Sequence, residues 1–217
     1  MADFNVRLSQ AAEKMHLTLD DKQKQDILLY LELIQKWNKT YNITAIKNAE
    51  QILIQHIFDS LSVIPALQKK IDSTTERTVL DVGSGGGLPG VIIAICCPQW
   101  HVTCIDAVEK KTSFITMVAG RLGLENLRSK HVRIEDYVSA EADLVISRAF
   151  ASLSDFANWS GHTVNEHGFL AAMKGHYLED EVSELQQNSD WCLSSWQKIE
   201  VPDMDAERCL IWMSKKG

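Results

Sequence analysis

Four glycines, Gly83, Gly85, Gly86 and Gly87, follow Asp81 within a few residues, and Gly90 closes the run just after Pro89. The run sits between two apolar stretches, Val79–Val82 on one side and Val91–Cys97 on the other. Glycine reaches backbone angles closed to other residues, and proline suits the first turn of a helix, so the order reads as strand, tight turn, helix. A turn of this kind lets a ligand lie against bare backbone at the mouth of a parallel sheet. Two further residues fit that setting. Asp106 lies 21 residues beyond Gly85, where a second strand ends and a carboxylate can accept ribose hydroxyls. Arg148 follows Leu144-Val145-Ile146-Ser147 directly, and apolar strands rarely end in an idle charge. The three together predict a site for a nucleoside-containing ligand.

Two ligand chemistries compete for the loop. Gly85-x-Gly87-x-x-Gly90, with Asp106 behind it, matches the dinucleotide fingerprint of nicotinamide enzymes. A pyrophosphate seated there would be repelled by a carboxylate at Asp81. Asp81-x-Gly83-x-Gly85-x-Gly87 instead resembles the cofactor loop of S-adenosylmethionine methyltransferases, whose ligand has no phosphate and carries two cationic groups that a nearby carboxylate favours. The methyltransferase reading is preferred, with a nicotinamide-dependent dehydrogenase as the less favoured alternative.

The elements that must position these residues fall into two parts. Residues 1–75 read as a helical extension: Thr18-Leu-Asp-Asp21 looks like a helix start, followed by Ile27, Leu31 and Ile34 at helical spacing, and a second helix is expected from Ala49 to Lys69. Trp37–Thr44 lies between them, with the Asn and Thr content of a turn and a new cap. Trp37 and Tyr41, four apart, are expected as core anchors rather than as platforms for a base. Lys70–Arg77 is polar and joins the extension to residues 76–217. There, strands are expected at Thr78–Val82, His101–Asp106, Leu127–Val132, Leu144–Ser147, Gly168–Met173, Trp196–Val201 and Cys209–Met213. Helices are expected at Pro89–Cys97, Lys110–Leu122, Leu153–Thr163 and Leu178–Gln187. This alternation predicts an α/β, Rossmann-like, mostly parallel sheet with an antiparallel hairpin at its edge, the two parts packed as one globular unit.

Composition narrows the class. The chain has 217 residues, 45% hydrophobic and 24% charged, as a soluble globular protein has. The Val91–Cys97 run is too short to span a bilayer, and the first ten residues lack a secretory pattern, so a cytoplasmic protein without membrane contact is expected. Five cysteines show no C-x-x-C spacing and seven histidines form no ligand set, so no metal is expected. A net charge of −7 argues against a general nucleic-acid binder. Basic residues nevertheless gather between Lys110 and Arg133, and a local patch of Arg128, Lys130 and Arg133, with Lys174, is predicted to hold an RNA backbone.

Across most of its length the chain resembles the bacterial small-subunit rRNA methyltransferase G family, also called the glucose-inhibited division protein B family. The resemblance rests on Trp37-Asn38-x-x-Tyr41-Asn42-Ile43-Thr44, His56-Ile57-Phe58-Asp59-Ser60, the Asp81–Gly90 loop and Ile146-Ser147-Arg148-Ala149-Phe150-Ala151, in that order. Lys174-Gly175 and Pro202…Glu207-Arg208 also resemble the family. The resemblance implies S-adenosylmethionine as cofactor, S-adenosylhomocysteine as product, and 16S rRNA of the small ribosomal subunit as substrate, methylated at N7 of a guanine in its decoding-region loop. It further implies that Gly83, Gly85 and Leu88 pack on the cofactor, that Asp106 holds the ribose, that Ile134 and Glu135 bracket the adenine, and that Arg148 stands beside the methyl-transfer crevice. A monomer is expected.

A ring nitrogen such as guanine N7 offers a lone pair and no proton, so its methylation requires no general base. The fourth strand ends Ser147-Arg148-Ala149-Phe150 and lacks the Asn/Asp-Pro-Pro-Tyr/Phe loop of amine methyltransferases, which agrees. Arg148 is expected to position the target guanine or its phosphate and to help order the methionine end of the cofactor, rather than to move a proton. A small-molecule methyltransferase would share the cofactor loop but have no use for the Trp37–Thr44 region or a basic face.

Overall fold

The computed structural model describes residues 2–71, 74–139, 141–150 and 152–217. Ala151 of the fourth-strand motif and part of the expected Lys70–Arg77 linker therefore lie outside the described residues. Among the described residues, seven strands form one sheet: β1 (Arg77–Val82), β2 (Trp100–Asp106), β3 (Leu127–His131), β4 (Ala142–Ser147), β5 (Val164–Lys174), β6 (Trp191–Ile199) and β7 (Arg208–Lys215). Their order is β3-β2-β1-β4-β5-β7-β6. The first five run parallel, β7 pairs antiparallel with β5, and β6 adds antiparallel outside β7. The α/β sheet with its antiparallel edge is thus as expected. The sixth strand begins at Trp191, five residues before the expected start, because its exposed polar stretch is held by pairing with β7 and not by an apolar run.

The chain order reverses between β1 and β4, and there α6 (Gly90–Cys96) and the loops after both strands part to opposite sides. Every residue of α6 is buried, with Val91, Ile92 and Ile93 fully so. The helix lies between the sheet and the N-terminal helices. Further along, α7 (Glu109–Leu122), α8 (Leu153–Ser160) and α9 (Glu179–Asn188) complete the crossovers and flank. The first turn of α9 carries the acids Glu179, Asp180 and Glu181, where the helix dipole favours them.

The extension consists of α1 (Ala2–Lys14), α2 (Asp21–Tyr41), α3 (Ala49–Ile52), α4 (Asp59–Leu61) and α5 (Ile64–Lys70). Three details differ from the sequence reading. The start of α2 is capped by Asp20 with Gln23 in a reciprocal capping box, two residues later than Thr18-to-Asp21. Asn38 is inside α2, which runs on to Tyr41 and stops at Asn42 in a left-handed conformation with φ 48°. The expected single helix from Ala49 to Lys69 is interrupted: Leu53–Phe58 widens to π-helical turns, and the chain breaks again at Ser62–Val63 before Pro65 in the first turn of α5. Apolar periodicity cannot reveal the inserted residue of a π turn, because apolar side chains flank it on both sides.

One apolar core joins the two parts. Leu8, Ile27, Leu31, Ile57, Phe58 and Leu67 from the extension pack with Val91, Ile93, Val102 and Phe114 of the sheet layer. Trp37 packs on Phe114, ring centroids 5.5 Å apart, and Tyr41 leans on Trp37 at 4.8 Å. At the surface Arg7 of α1 pairs with both Glu50 and Asp203, tying α1 to α3 and to the β6–β7 connection. Deep in the seam the Tyr30 hydroxyl donates to the Gly86 carbonyl at 2.7 Å, so α2 braces the glycine loop from behind. Tyr30→Phe strands that carbonyl and is expected to lower stability by about 1–3 kcal/mol, read as a lower urea midpoint. An unchanged midpoint would mean that the loop does not depend on the brace.

Candidate active site

The glycine loop is built by its own backbone. Gly83 and Ser84 donate to the Ile105 carbonyl at 3.0 and 3.1 Å, fastening the loop to the end of β2. Gly83, Gly85 and Gly87 have φ of 68°, 58° and 97°, which L side chains rarely adopt. At Gly83 a Cβ would come within 2.9 Å of Ala149 Cβ, and at Gly90 one would stand 2.3 Å from Cys104 Sγ. Asp81 is fully buried beneath this loop. Its Oδ2 accepts from Gly90 N at 2.8 Å, and its Oδ1 has no partner. The carboxylate that the sequence reading set beside a cationic ligand is therefore a brace under the turn and does not line the cavity.

Two lobes open above the carboxyl ends of the parallel strands and share Gly83 and Ala149 as their common wall. The first, about 170 Å³, is lined by Ile105, Asp106, Ile134, Glu135, Phe150 and Trp159 among others. Asp106 accepts from Gly85 N through Oδ2 and from Val108 N through Oδ1, each at 2.9 Å, and Lys111 Nζ approaches to 3.7 Å. These bonds fix the carboxylate and leave lone pairs facing the lobe, as two ribose hydroxyls require. Ile134 and Glu135 sit on a single 3-10 turn, Ile134–Asp136, after β3, with Ile134 buried and Glu135 exposed. The lobe pairs an apolar slot with a fixed carboxylate at its rim, so it fits an adenosine. Of the sequence-predicted cofactor residues, Asp106, Ile134 and Glu135 line this lobe, Gly85, Leu88 and Arg148 line the other, and Gly83 lines both.

The second lobe, about 190 Å³, is lined by Gly83–Gly86, Leu88, Arg148 and Ala149 from the sheet and by Ile34, Ile43, Thr44 and His56 from the extension. The latter four had no role in the sequence reading. Asn38 places two of them: it donates to the Ile46 carbonyl and accepts from Thr44 N, each at 2.9 Å, pinning the loop that carries Ile43 and Thr44. Thr44 Oγ1 lies 2.7 Å from His56 Nε2, and His56 Nδ1 lies 3.1 Å from the Gln55 carbonyl. For a neutral ring this assigns Nδ1 as donor and Nε2 as acceptor, leaving neither nitrogen free. The π turn carries His56 into the lobe and ends at Asp59. Arg148 Nη1 donates to the Gln55 carbonyl at 3.2 Å and to Asp59 Oδ2 at 3.0 Å, while Arg208 Nε donates to Asp59 Oδ1 at 2.9 Å. Asp59 stands in the same sequence motif as His56, but nothing local to it signals that its two arginine partners lie 89 and 149 residues away.

The four predicted RNA-backbone residues do not converge. Arg128 and Lys130 are exposed on β3 at the sheet edge, with Lys130 Nζ 5.0 Å from the Tyr137 ring centre. Arg133 lines the adenosine lobe. Lys174 ends β5, four strands from β3, and pairs with Glu181 at 2.9 Å.

The doubly wound sheet, the carboxylate fixed at the end of β2 and the positive-φ glycine loop are those of the methyltransferase fold, which solved structures of that class share. The fold agrees with a Burkholderia thailandensis 1,6-didemethyltoxoflavin-N1-methyltransferase solved with S-adenosylhomocysteine: TM-score 0.58 and 13% identity over 92% of each chain. It agrees also with a ribosomal protein L11 methylase from Lactobacillus delbrueckii: TM-score 0.55 and 16% identity over 74% of this chain and 77% of that one. The model of the family rRNA small subunit methyltransferase G matches residues 23–211, and the chain belongs to that family. Relatives of that name include one from Bordetella petrii, 50% identical over 99% of this chain and 84% of its own length. Another, from Neisseria meningitidis, is 40% identical over 97% and 98%.

Two buried groups give the site an opposed pH response. Burial pushes the Asp81 carboxyl up to about 7, despite the Gly90 amide that favours its charge. Burial, with Arg148 nearby, pulls the His56 imidazole down to about 4. Folded Asp81 holds its proton more tightly than the unfolded chain does, so its contribution is lost as pH rises from about 4 to 7. The unfolded chain protonates His56 more readily than the folded one, so that contribution is lost as pH falls from about 6.5 to 4. The two offset each other in the parent chain. Asp81→Asn removes one, and relative to the parent it is expected to gain stability steadily as pH is raised from about 4 to 7. Urea unfolding across that range measures it, and a pH-independent difference would place an ordinary carboxylate at Asp81.

Proposed function

We propose that this enzyme methylates N7 of a guanine in the decoding-region loop of 16S rRNA, with the adenosine lobe holding the cofactor and the second lobe receiving the base. The observation that carries the reading is the second lobe itself, which lies against the glycine loop and contains an arginine but no free general base. Family membership supplies the small-subunit rRNA as substrate class. When bound, S-adenosylmethionine supplies an electrophilic methyl group on a sulfonium sulfur. The N7 lone pair would accept that methyl group without a base, because no proton has to leave the acceptor.

The chain's own residues then have three tasks. Asp106 fixes the ribose, Ile134 and Glu135 flank the adenine, and Gly83, Gly85 and Leu88 present backbone and an apolar edge to the methionine end. Ile34, Ile43 and the Thr44–His56 pair wall the acceptor base on the side facing the loop. His56 is neutral with both ring nitrogens engaged, so it serves as a wall and not as a base. Arg148 Nη2 and Nε make no hydrogen bond among the described residues and remain available to the acceptor. Holding two reactants in line is worth on the order of 7–11 kcal/mol, enough for a reaction that needs no proton transfer.

Labelled S-adenosylmethionine should transfer one methyl group to small ribosomal subunits lacking the modification, and mapping should find N7-methylguanine at a single position. Label on an exocyclic amine or on a small molecule instead would sink the acceptor assignment. Arg148→Ala is expected to lower turnover by a factor of about 100 or more with cofactor binding largely kept, whereas Asp106→Ala should chiefly weaken S-adenosylhomocysteine binding. Near-normal turnover by the arginine variant would remove its role.

A further inference from the structure

Asp59 is, among the described residues, the one on which two arginines converge. Its carboxylate is 3% exposed, Oδ2 accepting from Arg148 after β4 and Oδ1 from Arg208 at the start of β7. A carboxylate buried that deeply is costly unless paired, and here both oxygens are occupied by charged donors. Both guanidinium groups are gathered on this one carboxylate, and Arg148 also lines the second lobe. Both are partly exposed, at 26% and 29%. Arg208 Nη1 is taken by the Glu207 carbonyl at 2.8 Å, and the Nη2 of each arginine makes no hydrogen bond among the described residues. The neighbouring acid Glu207 leans toward Lys198 at 3.8 Å. Two cations on one anion leave a net charge of +1 with outward-facing donors, which is the complement of a single phosphodiester.

We propose that Asp59 is a positioning residue that presents Arg148 and Arg208 as a paired seat for one phosphodiester of the acceptor strand, next to the methylated nucleotide. The inference rests on the rRNA reading above, but it does not depend on which guanine or which atom is methylated.

Asp59→Asn separates geometry from charge. It removes a negative charge beside two arginines, so if charge alone governed RNA affinity, binding would tighten. If Asp59 aligns the pair, binding weakens although the site has become more positive. Methyl transfer to unmodified small subunits should show kcat lowered at least roughly tenfold and KM raised in Asp59→Asn, with S-adenosylhomocysteine affinity unchanged. Arg208→Gln should flatten the dependence of log affinity on log salt by about one, and Arg208→Lys should keep the salt slope without recovering full turnover. Normal turnover with equal or tighter binding in Asp59→Asn would overturn the positioning role, and an unchanged salt slope in Arg208→Gln would overturn the phosphate seat. If Asp59→Asn fails to fold, the partly exposed Arg208 variants carry the test. No label on rRNA with the parent enzyme would instead overturn the reading beneath the proposal.

Discussion

The contact between Gly83 and Ala149 is the constraint that everything else accommodates. These residues leave β1 and β4, the two strands at which the chain order reverses, and a Cβ on Gly83 would press within 2.9 Å of Ala149. Close approach there lets the two lobes share one thin wall, so that the two cavities lie only a backbone apart. The positive φ at Gly83, Gly85 and Gly87 follows from the same requirement, because a loop that turns away from the sheet end would open the wall. Asp81 then becomes intelligible as a support. Its bond to Gly90 N secures the far end of the loop to the strand it came from.

The helical extension completes the acceptor lobe and is more than a cover for the sheet. Four lining residues come from it: Ile34 sits on α2 itself, and Ile43, Thr44 and His56 are placed by the left-handed stop at Asn42, the Asn38 clamp and the π turn at Leu53–Phe58. A π turn forgoes regular helical bonding and is found mostly where a side chain must be re-aimed. Here it turns His56 toward Thr44 while Ile57 and Phe58 stay fully buried. The Tyr30 hydroxyl reaches the glycine loop from the other side. Loop and acceptor wall are thereby referenced to the same helix, α2.

Much of this was legible in the sequence because it depends on local rules. Glycines that must adopt positive φ, an acid at the end of the second strand and apolar runs at strand length each declare themselves within a few residues. The sheet, and the convergence of Asp106, Ile134 and Glu135 on one lobe, were readable for that reason. The acceptor lobe was less so. Asp59 and Arg208 are 149 residues apart, and no spacing rule joins a carboxylate on one helix to an arginine on the last strand. Counting basic residues along the chain likewise drew attention to Arg128 and Lys130, since charge clustering in sequence cannot tell an edge strand from a site. Lysine and arginine on an exposed edge also serve to discourage strand addition, which suits β3 at the end of the sheet.

An enzyme of net charge −7 that engages a polyanion must solve its electrostatics locally. At physiological salt, exposed charges are screened over about 8 Å, so the overall negative charge matters less than the groups at the rim of the acceptor lobe. Arg148 lines that lobe and shares the buried Asp59 carboxylate with Arg208, and His56 beside it is kept neutral. Burial and the nearby guanidinium suppress the imidazolium, so no second, mobile cation competes with the arginines for the strand. A ring-nitrogen acceptor gains nothing from a base and gains much from being held still. Fixed cations with fixed geometry are consistent with that need, and a titrating group in the same place would work against it.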